Sequence, residues 1–194
     1  MRTIKKEAEA RAAIIAAAAH LFKQYGIHKT TMEEISLSMG KSNKYAYYYF
    51  KNKEEIFSEF GRQELARMLA DISRLVNKEN TLEGKIKSLF HARLHCVHNS
   101  IASYPMPLSE IGINMPAITG MIEALSANFA GELESLLKKL AASRKAQRRP
   151  GDCHAIATTY SDLMTSIDIR FAVLGTTVPD SRLQVLIDNL MRGI

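Results

Sequence analysis

The sequence lacks the features of several protein classes. Only two cysteines, Cys96 and Cys153, occur in 194 residues, which gives no disulfide framework and points to a reducing cytoplasm. No apolar run is long enough to cross a bilayer. A convincing alternation of apolar and polar residues, which would indicate strands, is also missing. We therefore expect a cytoplasmic, all-α protein without a membrane partner.

The amino-terminal apolar run Ile14–Ala19 follows several positive charges, as it would in a signal peptide. However, the run is short, it is preceded by Glu7 and Glu9, and it continues into a stretch with helical periodicity. We expect a helix here and no signal peptide.

Positive charge is unevenly distributed along the chain. The formal net charge is +6. Residues 1–60 contribute +3 and residues 138–149 contribute +6, so the remaining residues carry −3. A basic amino-terminal region, followed by a mostly acidic remainder, is suited to binding a phosphate-bearing partner through the amino-terminal region.

Helical periodicity runs through almost the whole chain and predicts about nine helices. Prolines 105, 107 and 116 break the pattern into a short sixth helix and the start of the seventh. The predicted helices span 3–25, 32–39, 43–49, 53–77, 81–100, a short segment near 105–116, a seventh helix ending near 142, 152–174 and 180–192.

The segment 30–57 is the most informative part of the sequence. Thr31 and Glu34 have the spacing of a capping box, and Asn52 and Glu55 repeat it. Gly40 supplies the left-handed residue that ends a helix, and the Ser42 side chain can cap the next one. Two short helices joined by such a turn predict a helix-turn-helix unit over about 31–50, of the kind that enters the DNA major groove.

A longer pattern of residues surrounds this unit, and it resembles the amino-terminal domain of the TetR family of transcriptional regulators over roughly residues 8–60. The matching residues are Ala18-x-x-Leu21-Phe22-x-x-x-Gly26, Thr30-Thr31, Ile35, Gly40, Ser42, Tyr47, Phe50 and Lys53-Glu54-Glu55-Ile56-Phe57. The resemblance implies a three-helix DNA-binding domain over 1–52 and a helical ligand-binding and dimerisation domain over 53–194.

The start of the third predicted helix carries residues suited to base recognition. Asn43 can pair with an adenine edge, Lys44 can donate to guanine or to phosphate, and Tyr45 can contact a thymine methyl group. Ala46 and Phe50 are expected to pack inside. The resemblance places Tyr47, Tyr48 and Lys53 against the phosphate backbone, and Thr31 can join them at a helix amino terminus. The predicted DNA-binding residues are Thr31, Ser42, Asn43, Lys44, Tyr45, Tyr47, Tyr48 and Lys53.

Four positions depart from the family pattern: Lys41, Lys44, Tyr45 and Ala46. The usual buried Val of the turn is Lys41 here, so this side chain must extend outward. A larger Tyr45 beside a smaller Ala46 is consistent with compensating packing. We expect these departures to give the protein its own sequence preference.

The resemblance also implies a ligand cavity in the carboxy-terminal domain, whose adaptable apolar residues suit a lipophilic molecule. The same residues suit an ordinary core. The predicted ligand-binding residues are Phe90, Arg93, Leu94, His98, Met115, Ile118, Met121 and Leu125.

His91, His95 and His98 share one helical face. The spacing of the first two is a metal-ligand spacing, but no glutamate completes a metalloprotease motif, and we expect neither a metal nor another cofactor. A ligand contact and a purely structural role both remain open for these histidines.

The last two predicted helices are amphipathic, and in the resembling family such helices build a four-helix bundle across a two-fold axis. Intramolecular packing is the alternative. Because symmetric half-sites need two DNA-binding domains, a homodimer is expected. The predicted interface residues are Tyr160, Met164, Ile167, Phe171, Leu183, Leu186 and Leu190.

The sequence therefore predicts a regulator, most simply a repressor that leaves a palindromic operator when a small effector binds. Two alternatives are weaker. An architectural DNA-binding protein would leave more than half of the chain without a role. An enzyme is not expected. Ser38–Lys41 matches the SxxK pattern of acyl-serine enzymes, but the companion motifs of that pattern are missing. A metal-dependent enzyme would have to use His91, His95 and His98.

Overall fold

The computed structural model describes residues 2–104, 115–144 and 150–193. Within these ranges the chain forms α-helices, one short 3-10 helix and no strands, which confirms the all-α prediction. The helices are α1 (Arg2–Tyr25), α2 (Met32–Ser38), the 3-10 helix Ala46–Tyr48, α3 (Lys53–Val76), α4 (Leu82–Ser103), α5 (Met115–Ser143), α6 (Pro150–Leu174) and α7 (Asp180–Arg192). No helix in the described ranges is long and apolar enough to span a bilayer.

Predicted and observed helices differ in two places, and one predicted helix is largely untested. The segment predicted as a helix over 43–49 is only a 3-10 helix at Ala46–Tyr48. The predicted short sixth helix, with prolines 105 and 107, falls outside the described residues except for its last part. The helix α6 begins at Pro150, two residues earlier than predicted, because proline needs no hydrogen-bond partner for its nitrogen in a first turn.

The chain divides into two compact units. The first contains Met1–Leu65 and Ile101–Met121, and the second contains Ala66–Ser100 and Ile122–Ile194. The boundary predicted at residue 52 marks the start of α3, whereas packing assigns the first part of that helix to the first unit.

The core of the first unit collects apolar residues from α1, α2, the 3-10 helix and α3. Ile14, Ala18, Ile35, Ala46 and Ile56 are all fully buried there. Phe22 and Phe57 meet edge to face, with ring centroids 6.1 Å apart, a geometry that aromatic quadrupoles favour. The burial of Ala46 and Phe50 agrees with their expected packing role.

The core of the second unit is centred on aromatic residues of α4, α5 and α6. The Phe90 ring lies 5.1 Å from the Phe129 ring and 5.8 Å from the Tyr160 ring, edge to face in both cases. Leu133 and Leu137 of α5 are completely buried. On α7, the buried residues Leu183, Ile187 and Leu190 recur at the spacing of one helical face.

Candidate DNA-recognition site

The start of α2 is fixed by the predicted capping box. The Thr31 amide donates to the Glu34 carboxylate at 2.8 Å, and the Glu34 amide donates back to the Thr31 hydroxyl at 3.2 Å. Two of the amides that have no partner within the helix are thereby satisfied. The Thr31 hydroxyl also donates to the Glu34 carboxylate, at 3.0 Å. Glu33 and Glu34 thus place negative charge in the first turn of α2, where the helix dipole favours it.

The turn after α2 depends on Gly40. Its φ is +66°, a left-handed conformation that only glycine adopts without a steric cost. The Gly40 amide donates to the Leu37 carbonyl at 2.9 Å, and the Lys41 amide donates to the Ser36 carbonyl at 3.1 Å. The carbonyls at the end of α2 therefore have partners, and the chain reverses as predicted.

Residues Ser42–Tyr48, which we call the recognition segment, form tight turns. The Tyr45 amide donates to the Ser42 carbonyl at 2.8 Å, and the Phe50 amide donates to the Ala46 carbonyl at 3.0 Å. The 3-10 helix has no side-chain cap in the described structure. The predicted side-chain cap by Ser42 is therefore wrong, since its backbone carbonyl makes the turn instead.

Ser36 joins α2 to the recognition segment. Its side chain is completely buried, donates to the Met32 carbonyl at 2.9 Å and accepts the Ala46 amide at 3.0 Å. One hydroxyl thus connects the two halves of the helix-turn-helix. The sequence pattern did not predict this role, although a serine inside an apolar helical face is a usable signal, because a buried hydroxyl needs partners.

Arg11 of α1 holds the residues that directly follow the recognition segment. Its guanidinium donates to the Tyr49 carbonyl and lies 4.0 Å from the centroid of the Phe50 ring. It also approaches the Glu55 carboxylate at 3.8 Å. Together these interactions tie the segment to both α1 and α3, and no local pattern in the sequence indicated them.

The predicted base-contacting residues are accessible. Ser42, Asn43 and Lys44 are exposed. Tyr45 is half-buried against the core of the first unit; its ring centroid lies 5.3 Å from that of Tyr49 and 5.5 Å from the Lys41 ammonium. Lys41 therefore extends outward, as expected for a lysine where the family pattern has a buried valine. Part of the Tyr45 ring is buried by packing.

Tyr47 and Tyr48, two of the residues predicted to contact phosphate, are exposed. Tyr48 is 78% exposed and Tyr47 is 48% exposed. The Tyr47 hydroxyl donates to the Glu33 carboxylate at 3.1 Å, and this bond raises the pKa of Tyr47 above its ordinary value. Tyr47 is therefore held against α2 as a neutral phenol.

Lys53 lies beside the amino terminus of α2. Its ammonium donates to the carbonyls of His28 and Thr30, at 2.8 and 3.0 Å. An ammonium has three donors, so these bonds leave one donor and fix a positive charge next to Thr31. The first turn of α3 is capped separately, with the Glu55 amide donating to the Asn52 side chain at 2.9 Å.

The residues predicted to bind a ligand do not share one environment. Phe90 and Leu125 are core residues of the second unit. Ile118 packs on the core of the first unit, and a Cβ built at Gly61 would lie 2.6 Å from the Met121 sulfur. The Met115 side chain lies outside the described part of the chain. The ligand set stays a prediction.

Two further predicted ligand residues have polar partners or a lowered pKa. Arg93 is buried and its guanidinium donates to Asp168 and Thr165. His98 stacks face to face on Phe171, with ring centroids 3.8 Å apart, and burial lowers the pKa of His98. His91 and His95 are exposed. No cluster of acidic, histidine or cysteine side chains that could hold a metal occurs in the described ranges.

The residues predicted at a dimer interface divide into two groups. Met164, Leu183 and Leu190 are buried within a single chain, so their main contacts are intramolecular. The remaining four are only partly buried: Tyr160, Ile167, Phe171 and Leu186. Large apolar residues left exposed on the same two helices are Leu163, Ile169, Val173, Leu174 and Val185.

Comparisons with known proteins agree with this geometry. Residues 14–60 match the family model of bacterial regulatory proteins, tetR family. That range contains α2, Gly40 and the whole recognition segment. No curated protein matches the chain.

The fold recurs in solved structures. A transcriptional regulator from Cytophaga hutchinsonii ATCC 33406 is 19% identical, with a TM-score of 0.66 and coverage of 92% of this chain and 91% of that chain. A regulator of the TetR/AcrR family from Thermobifida fusca YX-ER1 is 15% identical, with a TM-score of 0.63 and coverage of 94% and 96%.

A bacterial regulatory protein in the tetR family from Rhodococcus RHA1 is 20% identical, with a TM-score of 0.58 and coverage of 94% and 95%. Identities this low show a shared fold and do not transfer a ligand or an operator. Residues 14–60, with their capped α2, left-handed Gly40 and exposed recognition segment, therefore form the amino-terminal domain of the tetR family of bacterial regulatory proteins.

Proposed function

We propose that this regulator is a homodimeric, cytoplasmic repressor that binds a palindromic operator and leaves it when a small molecule binds the second unit. The observation that carries the proposal is the recognition segment. Its exposed residues Ser42, Asn43 and Lys44 project from a turn that the buried Ser36 hydroxyl holds in place, and Arg11 ties the residues that follow the segment to α1. A rigid support of this kind suits base contacts, which tolerate little misplacement.

Within this proposal the contacts divide into base recognition and positioning. Asn43 and Lys44 contact base edges in the major groove. Tyr45 contributes the part of its side chain that stays accessible, and its packing against the core of the first unit limits the directions it can take.

Phosphate contacts fix the register of the protein on the duplex. The amino terminus of α2 at Thr31, the adjacent Lys53 ammonium and the exposed Tyr47 and Tyr48 hydroxyl groups supply them in this proposal. The Lys53 bonds to the carbonyls of His28 and Thr30 support it, because they hold a positive charge beside the amino terminus of α2.

A dimer follows from the symmetry of operators, since two recognition segments must face two half-sites. The exposed apolar residues of α6 and α7, such as Leu174 and Val185, support an interface on these helices. We assign the dimer contact to these residues together with the partly buried Tyr160, Ile167 and Leu186.

Selection from a random duplex library tests the proposal. The protein should enrich a palindromic sequence, bind it as one dimer per site in sedimentation, and lose affinity for it with at least one small molecule of a metabolite panel. Enrichment of no sequence over the starting library would contradict the proposed function. Enrichment without any ligand effect would favour an architectural role.

A further inference from the structure

Two of the residues proposed to contact phosphate are hydrogen-bonded to acidic side chains in this structure. The Thr31 amide and the Thr31 hydroxyl both donate to Oε2 of Glu34, at 2.8 and 3.0 Å. The Tyr47 hydroxyl donates to Oε1 of Glu33 at 3.1 Å. A carboxylate oxygen and a phosphate oxygen accept the same kinds of hydrogen bond. Glu33 and Glu34 therefore engage the donors that a phosphate of the duplex needs.

Helix capping explains only one of these two glutamates. Glu34 closes the capping box with Thr31. Glu33 is not part of that box, and its hydrogen bond goes to Tyr47, 14 residues further along the chain in the recognition segment. The helix dipole favours a negative charge in the first turn, but it does not require a bond to Tyr47. An exposed hydrogen bond of this kind adds little to stability, because water can replace it.

A phosphate can reach the same donors from solvent. Glu33 and Glu34 are both exposed, so their side chains can rotate away without disturbing the core. Tyr47 is 48% exposed, and it lies in the 3-10 helix Ala46–Tyr48. The backbone that carries the Tyr47 hydroxyl is therefore fixed, while the glutamate that accepts from it is free to leave.

The charges at this surface oppose phosphate binding. Among the groups proposed to contact phosphate, Lys53 carries the positive charge, and its ammonium is held by the carbonyls of His28 and Thr30. Glu33 and Glu34 add two negative charges in the first turn of α2. Like charges a few ångströms apart repel one another even in water. A phosphate at the amino terminus of α2 meets this repulsion.

We infer that Glu33 and Glu34 hold these donors in the free protein, are displaced from them by phosphates of the duplex, and thereby lower the affinity for every duplex. The inference rests on the proposed function for its partner. A carboxylate contact is exchanged for a phosphate contact, so little binding energy is gained there. Contacts of Asn43 and Lys44 with base edges must then supply more of the affinity, which restricts stable binding to the operator.

The substitution Glu33→Gln tests the inference on the full-length protein. It keeps a side-chain oxygen for the Tyr47 hydroxyl and removes the charge. Fluorescence anisotropy with the selected duplex and with a scrambled duplex should show affinities about three- to tenfold higher for both, the scale of one like-charge repulsion at each half-site. The gain should shrink as the salt concentration rises, because exposed charges are screened. A purely structural role of Glu33 predicts an unchanged or a lower affinity.

Two further variants accompany this test. Glutamine can also close a capping box, so Glu34→Gln should keep α2 capped and should raise both affinities in the same way. Glu132→Gln removes a charge at an exposed position of α5 and should leave both affinities unchanged. Thermal unfolding checks that each variant is folded. If Glu34→Gln does not fold, the result for Glu33→Gln decides.

The inference is overturned if folded Glu33→Gln binds the selected duplex no more tightly than the wild-type protein does. A gain confined to the selected duplex would also overturn it, since Glu33 would then take part in base recognition. Both results would leave the proposed function standing, because a duplex was selected. Failure to select any duplex would refute the proposed function and the inference with it.

Discussion

Arg93 and Asp168 form an ion pair inside the second unit, with 3.0 Å between Nη2 of the guanidinium and Oδ2 of the carboxylate. The Arg93 side chain is 1% exposed and that of Asp168 is 10% exposed. Burial acts against both charges: it lowers the pKa of Arg93 and raises the pKa of Asp168 to about 6, in each case outweighing their mutual attraction. Burying either charge alone would cost much free energy, and the ion pair offsets that desolvation cost only when both partners are present.

Removing one partner should be far worse than removing both. Asp168→Ala leaves Arg93 buried without its counter-charge, and we expect a loss of about 3–5 kcal/mol in the free energy of unfolding. The combined change Arg93→Met and Asp168→Leu should be neutral or stabilising. Urea unfolding at fixed protein concentration measures both. Asp162→Ala, at an exposed position of α6, is the control and should stay within about 0.5 kcal/mol. A combined variant as unstable as Asp168→Ala would contradict this interpretation.

The same carboxyl makes stability depend on pH. Because the pKa of Asp168 in the folded protein, about 6, lies above its ordinary value of 3.8, the folded state holds a proton that the unfolded chain releases. This contribution to stability is complete below pH 3.8 and is lost as pH rises through 6. Relative to the combined variant, the wild-type protein should lose up to about 3 kcal/mol between about pH 4 and pH 7. A constant difference across that range would show that Asp168 is not titrating.

Ser36 should be essential to the recognition segment. Ser36→Ala removes the acceptor of the buried Ala46 amide, and an unsatisfied buried donor costs about 1–3 kcal/mol. Amide hydrogen exchange should show faster exchange at Ala46, and unfolding should show the loss of stability. Ser38→Ala is a matched control, because the Ser38 hydroxyl donates to the Ile35 carbonyl of its own helix. Equal effects of the two substitutions would count against the bridging role of Ser36.

Replacing Gly40 should destabilise the protein because of its left-handed backbone conformation. A Cβ at this position meets nothing within 4 Å, so Gly40→Ala costs only the left-handed conformation, about 1–2 kcal/mol. Gly131 of α5 has equally open surroundings and no left-handed φ, and Gly131→Ala should stabilise by about 0.5–1 kcal/mol. Thermal unfolding compares the two. Two shifts of the same sign would contradict the explanation.

Local sequence signals predicted most of the first unit. Capping spacing located the starts of α2 and α3 correctly, Gly40 located the turn, and Ala46 and Phe50 were recognised as core positions. These features depend only on residues that are close together in the chain, so they can be predicted from the sequence. The 3-10 form of the recognition segment was not predicted, because it depends on packing against α1 and α2.

Long-range pairing could not be predicted in the same way. Arg93 was predicted to meet a ligand, and its partner Asp168 lies 75 residues away on another helix. The Arg11 hydrogen bond to Tyr49 spans 38 residues. Such pairs follow from how helices pack, and helical periodicity alone gives no register between separate helices.

The proposed function requires that the recognition segment determines DNA preference. This requirement is tested by the affinity for the selected duplex and for a scrambled duplex, measured across a range of salt concentrations. The wild-type protein is compared with the double substitution Asn43→Ala with Lys44→Ala. Lys87→Ala, at an exposed position of α4, serves as the control.

We predict that the double substitution reduces the preference for the selected duplex by about 1–3 kcal/mol for each base pair that Asn43 or Lys44 reads in a half-site, while Lys87→Ala does not. If Lys44 binds phosphate, the salt slope should also fall by about one for each phosphate that is no longer neutralised. An unchanged preference and an unchanged salt slope, in a variant that remains folded and dimeric, would contradict the assignment of DNA recognition to this segment.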